Sequence, residues 1–244
     1  MSPRITRAVT GRVLNQLRRD HRTVAMLLVL PCLLMTLLWW MFEDAGPVFD
    51  RIGPALLAIF PFIVMFLVTS VTTLRERSSG TLERLLAMPM GRLDLLVGYA
   101  VAFGVVAAVQ SGLAVGVSVG LLDLQIVGHV WLLCLVAVVD AVLGTALGLF
   151  VSAFARTEFQ AVQFMPAVVV PQILLCGLLV PRDAMPDVLG AVSDVLPLSY
   201  AVDAMTHLTL SSSAGEVWGD LAVVMAFVLA GLALGAATLR RQTP

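Results

Sequence analysis

A chain of 244 residues that is 59% hydrophobic and only 13% charged, with a mean hydropathy of +0.98, has too little polar surface to wrap a water-facing globule; soluble domains hold about 25% charged residues. The net charge of −1 conceals an uneven distribution, because all fifteen basic residues are arginine and none is lysine. A soluble enzyme is excluded, and an all-α polytopic membrane domain occupying the whole chain is expected.

In chain order, residues 1–22 place Ile5, Val9, Val13 and Leu17 four apart, with Arg4, Arg7, Arg12, Arg18 and Arg19 between them. This spacing predicts an amphipathic helix lying flat in the cytoplasmic interface, its guanidinium groups toward lipid phosphates. An Arg-rich stretch of this length, with no small-residue cleavage site after the apolar run that follows it, is not the pattern of a removable signal peptide. Six runs then approach the roughly 20 apolar residues a crossing helix needs: 24–41, 54–74, 95–121, 130–155, 159–180 and 218–239. The fifth carries Gln160, Gln163, Pro166 and Pro171, which predicts a kinked helix packed inside the bundle, where neighbours satisfy the carbonyls freed by proline. With six spans, one side of the membrane holds thirteen arginines and the other only Arg51 and Arg182. The positive-inside rule then puts both termini in the cytoplasm of a multi-pass plasma-membrane protein.

Two connecting segments carry structure of their own. In the cytoplasmic loop 75–92, Ser78, Ser79 and Gly80 have turn and cap character. From Thr81, the residues Leu82, Leu85 and Leu86 share one helix face, with Glu83 and Arg84 on the other. Glu83 stands where it can reach back to free N–H groups, and Pro89 stops the turn. The segment predicts a short, rigid, charged knob. The 37 residues of 181–217 on the opposite side are too many for a bare connection. Met185, Val188, Leu189, Val192, Val195 and Leu196 predict a short interfacial or re-entrant helix closed by Pro197.

At the cytoplasmic loop, Arg75-Glu76-Arg77, Gly80-Thr81-Leu82-Glu83, Leu85-Leu86-Ala87 and Pro89 resemble the permease subunits of ABC-2 type exporters, and most of all the actinobacterial daunorubicin-type resistance permeases. The resemblance extends over the amphipathic leader, the six spans and the external segment, where Leu196-Pro197-Leu198-Ser199-Tyr200 is similar to the family's Leu-Pro motif. Met88 and Ser78 depart from the family's usual threonine and acidic residue. The resemblance implies that the loop is a coupling helix docking on a separate ATPase subunit, with Arg75, Glu76, Arg77, Gly80, Thr81, Leu82, Glu83, Arg84, Leu85 and Pro89 at the contact. It also implies a second permease copy, in a homodimer. This chain has no lysine for a phosphate cradle, so ATP and magnesium are expected on the partner; no cofactor, metal or nucleic acid is expected here. His21, His129 and His207 match no metal spacing.

Inside the membrane, Asp140 lies about ten residues into the fourth span, where an acid costs roughly 2.5–3.5 kcal/mol on insertion scales. It either lines a transport path, with Gln110, Gln172 and Phe66 as further candidates, or is held by Gln110, Ser111 or Thr145 as a structural residue. Phe60, Phe62 and Phe66 are candidates for an apolar cavity, while Trp39 and Trp40 suit the outer aromatic belt. Gly112, Gly116 and Gly120, with Gly144/Gly148 and Gly231/Gly235, predict close helix packing. The expected activity is export of a hydrophobic or amphipathic molecule (drug, antibiotic or lipid) powered by a separate ATPase. The alternative is a proton-coupled secondary transporter using Asp140.

Overall fold

The computed structural model describes residues 3–44, 48–80, 92–210 and 215–238. Within them the regular structure is entirely helical: α1 (Pro3–Arg19), α2 (His21–Met41), α3 (Val48–Ser78), α4 (Arg92–Gly120), α5 (Val130–Val151), α6 (Glu158–Leu175), a 3-10 turn (Arg182–Ala184), α7 (Asp187–Ser193), α8 (Pro197–Leu210) and α9 (Gly215–Thr238). Six helices are long and apolar enough to cross a membrane: α2, α3, residues Val97–Gly120 of α4, α5, α6 and residues Gly215–Gly235 of α9. With no water in the hydrocarbon, helices satisfy their own backbone groups and are the economical way to cross it. Residues 81–90, and with them Thr81, Leu82, Glu83, Arg84, Leu85 and Pro89, lie outside the described residues.

The centre of the bundle is the pair α3 and α5, which run side by side in the same direction. Glycine sets their separation. A Cβ on Gly144 would stand 2.4 Å from the Phe62 carbonyl oxygen, and one on Gly148 2.5 Å from that of Phe66. Both distances are inside van der Waals contact, so no side chain fits and the backbones touch. Gly231 of α9 meets Ala146 of α5 at 3.2 Å in the same manner. The remaining triplet behaves differently: Gly112, Gly116 and Gly120 have nothing within 4 Å of an added Cβ. The expectation that they pack helices within this chain is corrected. They lie on the outward face of α4, beside exposed Leu113 and Leu121.

At 31 residues, α3 is about 46 Å long at 1.5 Å per residue. It overruns the expected span 54–74 at both ends, and its last turn carries Arg75, Glu76 and Arg77 beyond the apolar stretch. Its end is a glycine cap. Ser79 N–H donates to the Arg75 carbonyl at 3.0 Å, Gly80 N–H donates to the Arg77 carbonyl at 3.1 Å, and Gly80 has φ +70°. That conformation suits glycine and places Gly80 as the stop of α3.

One expectation about the second half is overturned and another is extended. The fifth crossing helix is shorter than 159–180 and lies at the periphery. It ends at Leu175 and Gly177 turns the chain at φ +96°. Only Ala161, Val169 and Gln172 of α6 are buried, while Phe159 is 72% exposed and Val162, Val170 and Leu174 also face outward. Pro166 and Pro171 therefore sit in a helix whose apolar face is open toward lipid or a second chain. The external segment also contains more than one short helix. Pro197 closes the turn after α7 and also begins α8, set at 90° to α7. Proline suits the first turn of a helix because it has no N–H to leave unpaired. Leu198, Ala201, Val202, Met205 and Leu208 of α8 are buried in the main core against α3, α5 and α9. The bent pair α7–α8 has the form of a broken span or a re-entrant loop.

Candidate functional site

Three polar groups stand out, one near each end of the helical bundle and one between them. At one end of the bundle α1 lies across the start of α4. Val9 packs so tightly on Gly98 that a Cβ there would stand 2.6 Å from Val9 Cγ1. Beside it, Thr10 Oγ1 donates to the Thr6 carbonyl at 2.9 Å and reaches the Gly98 carbonyl at 3.1 Å. Val9, Val13 and Leu17, three residues of the stripe read from the sequence, are the buried face. One helical turn further, Arg12 Nη2 donates to Glu76 Oε1 and Oε2 at 3.1 and 3.2 Å and to the Tyr99 hydroxyl oxygen at 2.8 Å. Glu76 is only 4% exposed. A partly exposed arginine thus ties together three elements: α1, the last turn of α3 before the loop, and the first turns of α4 after it. Charge-assisted bonds of this kind are about twice as strong as neutral ones.

Arg75 leans the other way. Its Nε and Nη2 donate to Glu158 Oε1 and Oε2 at 3.0 and 3.2 Å, fastening α3 to the start of α6 in an exposed, bidentate pair. Between α1 and α2, Asp20 caps the second helix: Thr23 Oγ1 donates to Oδ2 at 2.7 Å and Thr23 N–H to Oδ1 at 3.2 Å. Those bonds, the hydroxyl's first, hold the Asp20 carboxyl below the usual aspartate range. The loop 81–90 is thus entered and left through a braced frame made of α1, α3, α4 and α6.

At the middle level Asp140 is fully buried, and neither carboxyl oxygen has a hydrogen-bond partner among the described residues. The holders expected for it are engaged elsewhere or unpaired. Ser111 Oγ donates to the Ala137 carbonyl at 3.0 Å, Thr145 Oγ1 donates to the Ala141 carbonyl at 3.1 Å, and the Gln110 amide has no partner among the described residues. Two buried polar side chains, on α4 and α5, are therefore left without partners, the kind of arrangement that demands an explanation in a packed core. The other path candidates have structural work. Phe66 is fully buried, stacked with Phe62 at a centroid distance of 6.5 Å, and its backbone abuts Gly148. Gln172 Nε2 donates to the Val168 carbonyl at 3.0 Å, and its Oε1 accepts from Leu198 N–H at 3.4 Å, tying α6 to the first turn of α8.

At the opposite end of the bundle Arg182 is the hub. It donates to Asp203 of α8 through Nη1 and to Asp194 after α7 through Nη2. Its Cζ lies 5.0 Å from the centroid of the Tyr200 ring, and the Tyr200 hydroxyl donates to the Asp194 carbonyl at 2.8 Å. Ser193 Oγ adds a bond to the Leu175 carbonyl at 2.7 Å. Close by, His207 Nδ1 lies 3.1 Å from Glu216 and its Nε2 3.8 Å from Asp220, joining α8 to α9. Arg182 is one of two arginines the charge count placed outside, and its role as a clasp was not read from the sequence. Nor were the roles of Arg12, Tyr99 and Gly98. A lone arginine in a segment with Asp183, Asp187, Asp194 and Asp203 was the available signal.

Among the described residues no group of three or more His, Cys, Asp or Glu side chains could hold a metal ion. Comparison with known proteins gives the family. The model of the ABC-2 type transporter family matches residues 5–210. Relatives include the probable multidrug ABC transporter permeases YbhR and YbhS of Escherichia coli. They are 27% identical over 69% of this chain and 28% identical over 72% of it, respectively. ABC transporter G family member 20 of Dictyostelium discoideum is 26% identical over 74% of the chain. The matched stretch covers 46% of each E. coli permease and 25% of the Dictyostelium protein, so this chain spans less than half the length of these relatives.

Proposed function

The chain belongs to the ABC-2 type transporter family, and from that premise we propose that it is the membrane-embedded half of an ATP-driven exporter, moving a hydrophobic or amphipathic molecule outward. The observation that carries the reading is the braced frame around the loop 81–90. Arg12–Glu76–Tyr99 on one flank and Arg75–Glu158 on the other hold the ends of α3 and α4 to two further helices. A push delivered to that loop by a separate ATPase, which carries ATP and magnesium, moves four helices together instead of bending one. Docking contacts then fall to residues of the segment itself, Glu83 and Arg84 among them. Glu76 is turned inward and acts as a strut.

Two copies of the permease complete the unit. Six crossing helices with a close-packed centre leave little room for a path within one chain. The apolar faces of α2 and α6 are the most open, with Met26, Val29, Leu33 and Leu37 exposed on the first and Phe159, Val162, Val170 and Leu174 on the second. A path between two copies, closed outside by the α7–α8 plugs, fits that distribution. The names of the E. coli relatives support a drug-like cargo. The termini face the cytoplasm on this reading, since with six spans one side of the membrane carries thirteen of the fifteen arginines.

The test is Glu83→Arg in the complex with its ATPase, reconstituted in vesicles. The variant should insert and assemble as wild type and lose most of the transport-stimulated ATP hydrolysis; unchanged stimulation refutes docking through Glu83, and failure of any ATPase to co-purify refutes the class. The unpartnered carboxyl of Asp140 favours a second reading, proton-coupled transport. It requires transport that is abolished by an uncoupler and indifferent to ATP.

A further inference from the structure

Where α1 crosses α4 there is an open groove of about 420 Å³, lined by Pro3, Thr6, Arg7, Thr10, Val97 and Val101. We propose that this groove is a binding site for one net-anionic phospholipid of the cytoplasmic leaflet, its phosphate on Arg7 and one acyl chain along α4. The floor continues below the mouth. Val97, Val101, Val105 and Val109 recur every fourth residue, and the last three are exposed at 45%, 45% and 57%. Twelve residues of helix cover about 18 Å, close to the thickness of one leaflet, about half of a roughly 30 Å core. An apolar track of one acyl chain's length therefore begins directly beneath a cationic mouth.

The charge on α1 selects the headgroup. From Pro3 to Arg19 the helix carries no acidic residue, and its exposed charges are Arg4, Arg7, Arg18 and Arg19. Arg12, which shares the helix, is turned inward to Glu76, whereas Arg7 forms no ion pair with any described residue and lines the groove. A planar guanidinium matches two phosphate oxygens at once. A phosphatidylcholine offers the same phosphate but brings a quaternary ammonium into a field that is positive throughout. A phosphatidylglycerol brings no such cation. The close contact of Val9 on Gly98 fixes the two walls relative to each other, so the groove is formed before the lipid arrives.

This inference does not rest on the transport reading; the leaflet alone follows from which way the chain faces, and binding itself is read in micelles, which have no sides. The full chain in detergent micelles would be titrated with equimolar dioleoyl phosphatidylglycerol and dioleoyl phosphatidylcholine, and retained lipid counted by native mass spectrometry. Wild type should retain phosphatidylglycerol in preference. Arg7→Ala should lower that retention about fivefold, the effect of one basic side chain near an anionic surface, and Val101→Trp, which fills the track, should abolish it. Arg19→Ala removes the same charge at the far end of α1 and should leave retention intact. Equal retention of the two lipids by wild type overturns the site. So does a loss in Arg19→Ala matching that in Arg7→Ala, which would mean diffuse attraction. Should Val101→Trp not fold, the comparison of Arg7 with Arg19, both exposed, still decides. Spontaneous disulfide dimers of Val101→Cys would assign the groove to a second copy and overturn the lipid.

Discussion

Glu76 and Asp140 are both buried acids, and their surroundings assign them opposite consequences. Glu76 has Arg12, and removing either partner leaves the other in a half-dry site. A hydrogen bond to a charged group is worth about 1.5–3 kcal/mol, and the partial exposure of Arg12 pulls the figure to the lower end. Arg12→Ala and Glu76→Gln should therefore each lower the thermal midpoint of the purified protein in detergent. A double-mutant cycle should return a coupling of about 1 kcal/mol, as for residues in direct contact. Additive losses would mean the pair contributes nothing as a pair. Asp140 has no partner to lose among the described residues. Replacing it with leucine removes an orphaned polar group from the core, so Asp140→Leu should raise the thermal midpoint, while Asp140→Asn tests the carboxyl itself through transport. A lower midpoint in Asp140→Leu would show that the acid holds the bundle together. The resemblance of Arg75-Glu76-Arg77 to the family's coupling loop implies a docking role for Glu76. Its inward turn depends on Arg12, 64 residues away, and no local pattern carries a contact of that range.

The same division between local and distant information appears among the helices. The period of Val9, Val13 and Leu17 made α1 legible, and length with hydropathy made the six crossings legible, since both signals lie within one element. What an apolar helix packs against is not written in its own sequence. Gly112, Gly116 and Gly120 repeat at the same spacing as Gly144 and Gly148, but only the second set meets a neighbour. Substitution separates them: Gly148→Val must displace the backbone at Phe66 and should cost about 1–3 kcal/mol or prevent folding, whereas Gly116→Val, pointing into open space, should change stability by less than about 0.5 kcal/mol. Equal tolerance would contradict the α3–α5 contact. The helix that sequence reading missed, α8, was hidden by its first residue. Pro197 reads equally as the stop of α7 and as the first position of α8, and only the stripe Leu198, Val202, Met205 tells them apart. The fifth span was misplaced for a related reason, in that proline signals freed carbonyls but not who meets them.

At the scale of the molecule, both faces of the bundle are clasped by arginine, and the clasps differ in kind. Arg12 and Arg75 bind elements on either side of residues 81–91, while Arg182 holds α8 to the turn that precedes it. If the plug closes the outer end of a path, then Arg182→Ala frees α8 from Asp194 and α7 while leaving the cytoplasmic frame untouched. The variant should keep ATP-dependent coupling through the loop but leak cargo. Leak in the absence of ATP, measured with a fluorescent amphiphile in vesicles, checks it. Sidedness underlies that scheme and is open to direct measurement. Trp40, Trp131 and Trp218 are exposed at helix ends, where an aromatic belt belongs, and Arg4, Arg7, Arg18 and Arg19 of α1 are exposed at the other end of the bundle. A membrane-impermeant maleimide applied to intact cells should label Val188→Cys, exposed on α7, and should spare Arg18→Cys on α1 until the membrane is opened. The native Cys32, Cys134 and Cys176 sit within or at the ends of apolar helices and are poorly placed to react. Labelling of Arg18→Cys in intact cells would invert the chain, and with it both the site of the ATPase and the leaflet that supplies the lipid.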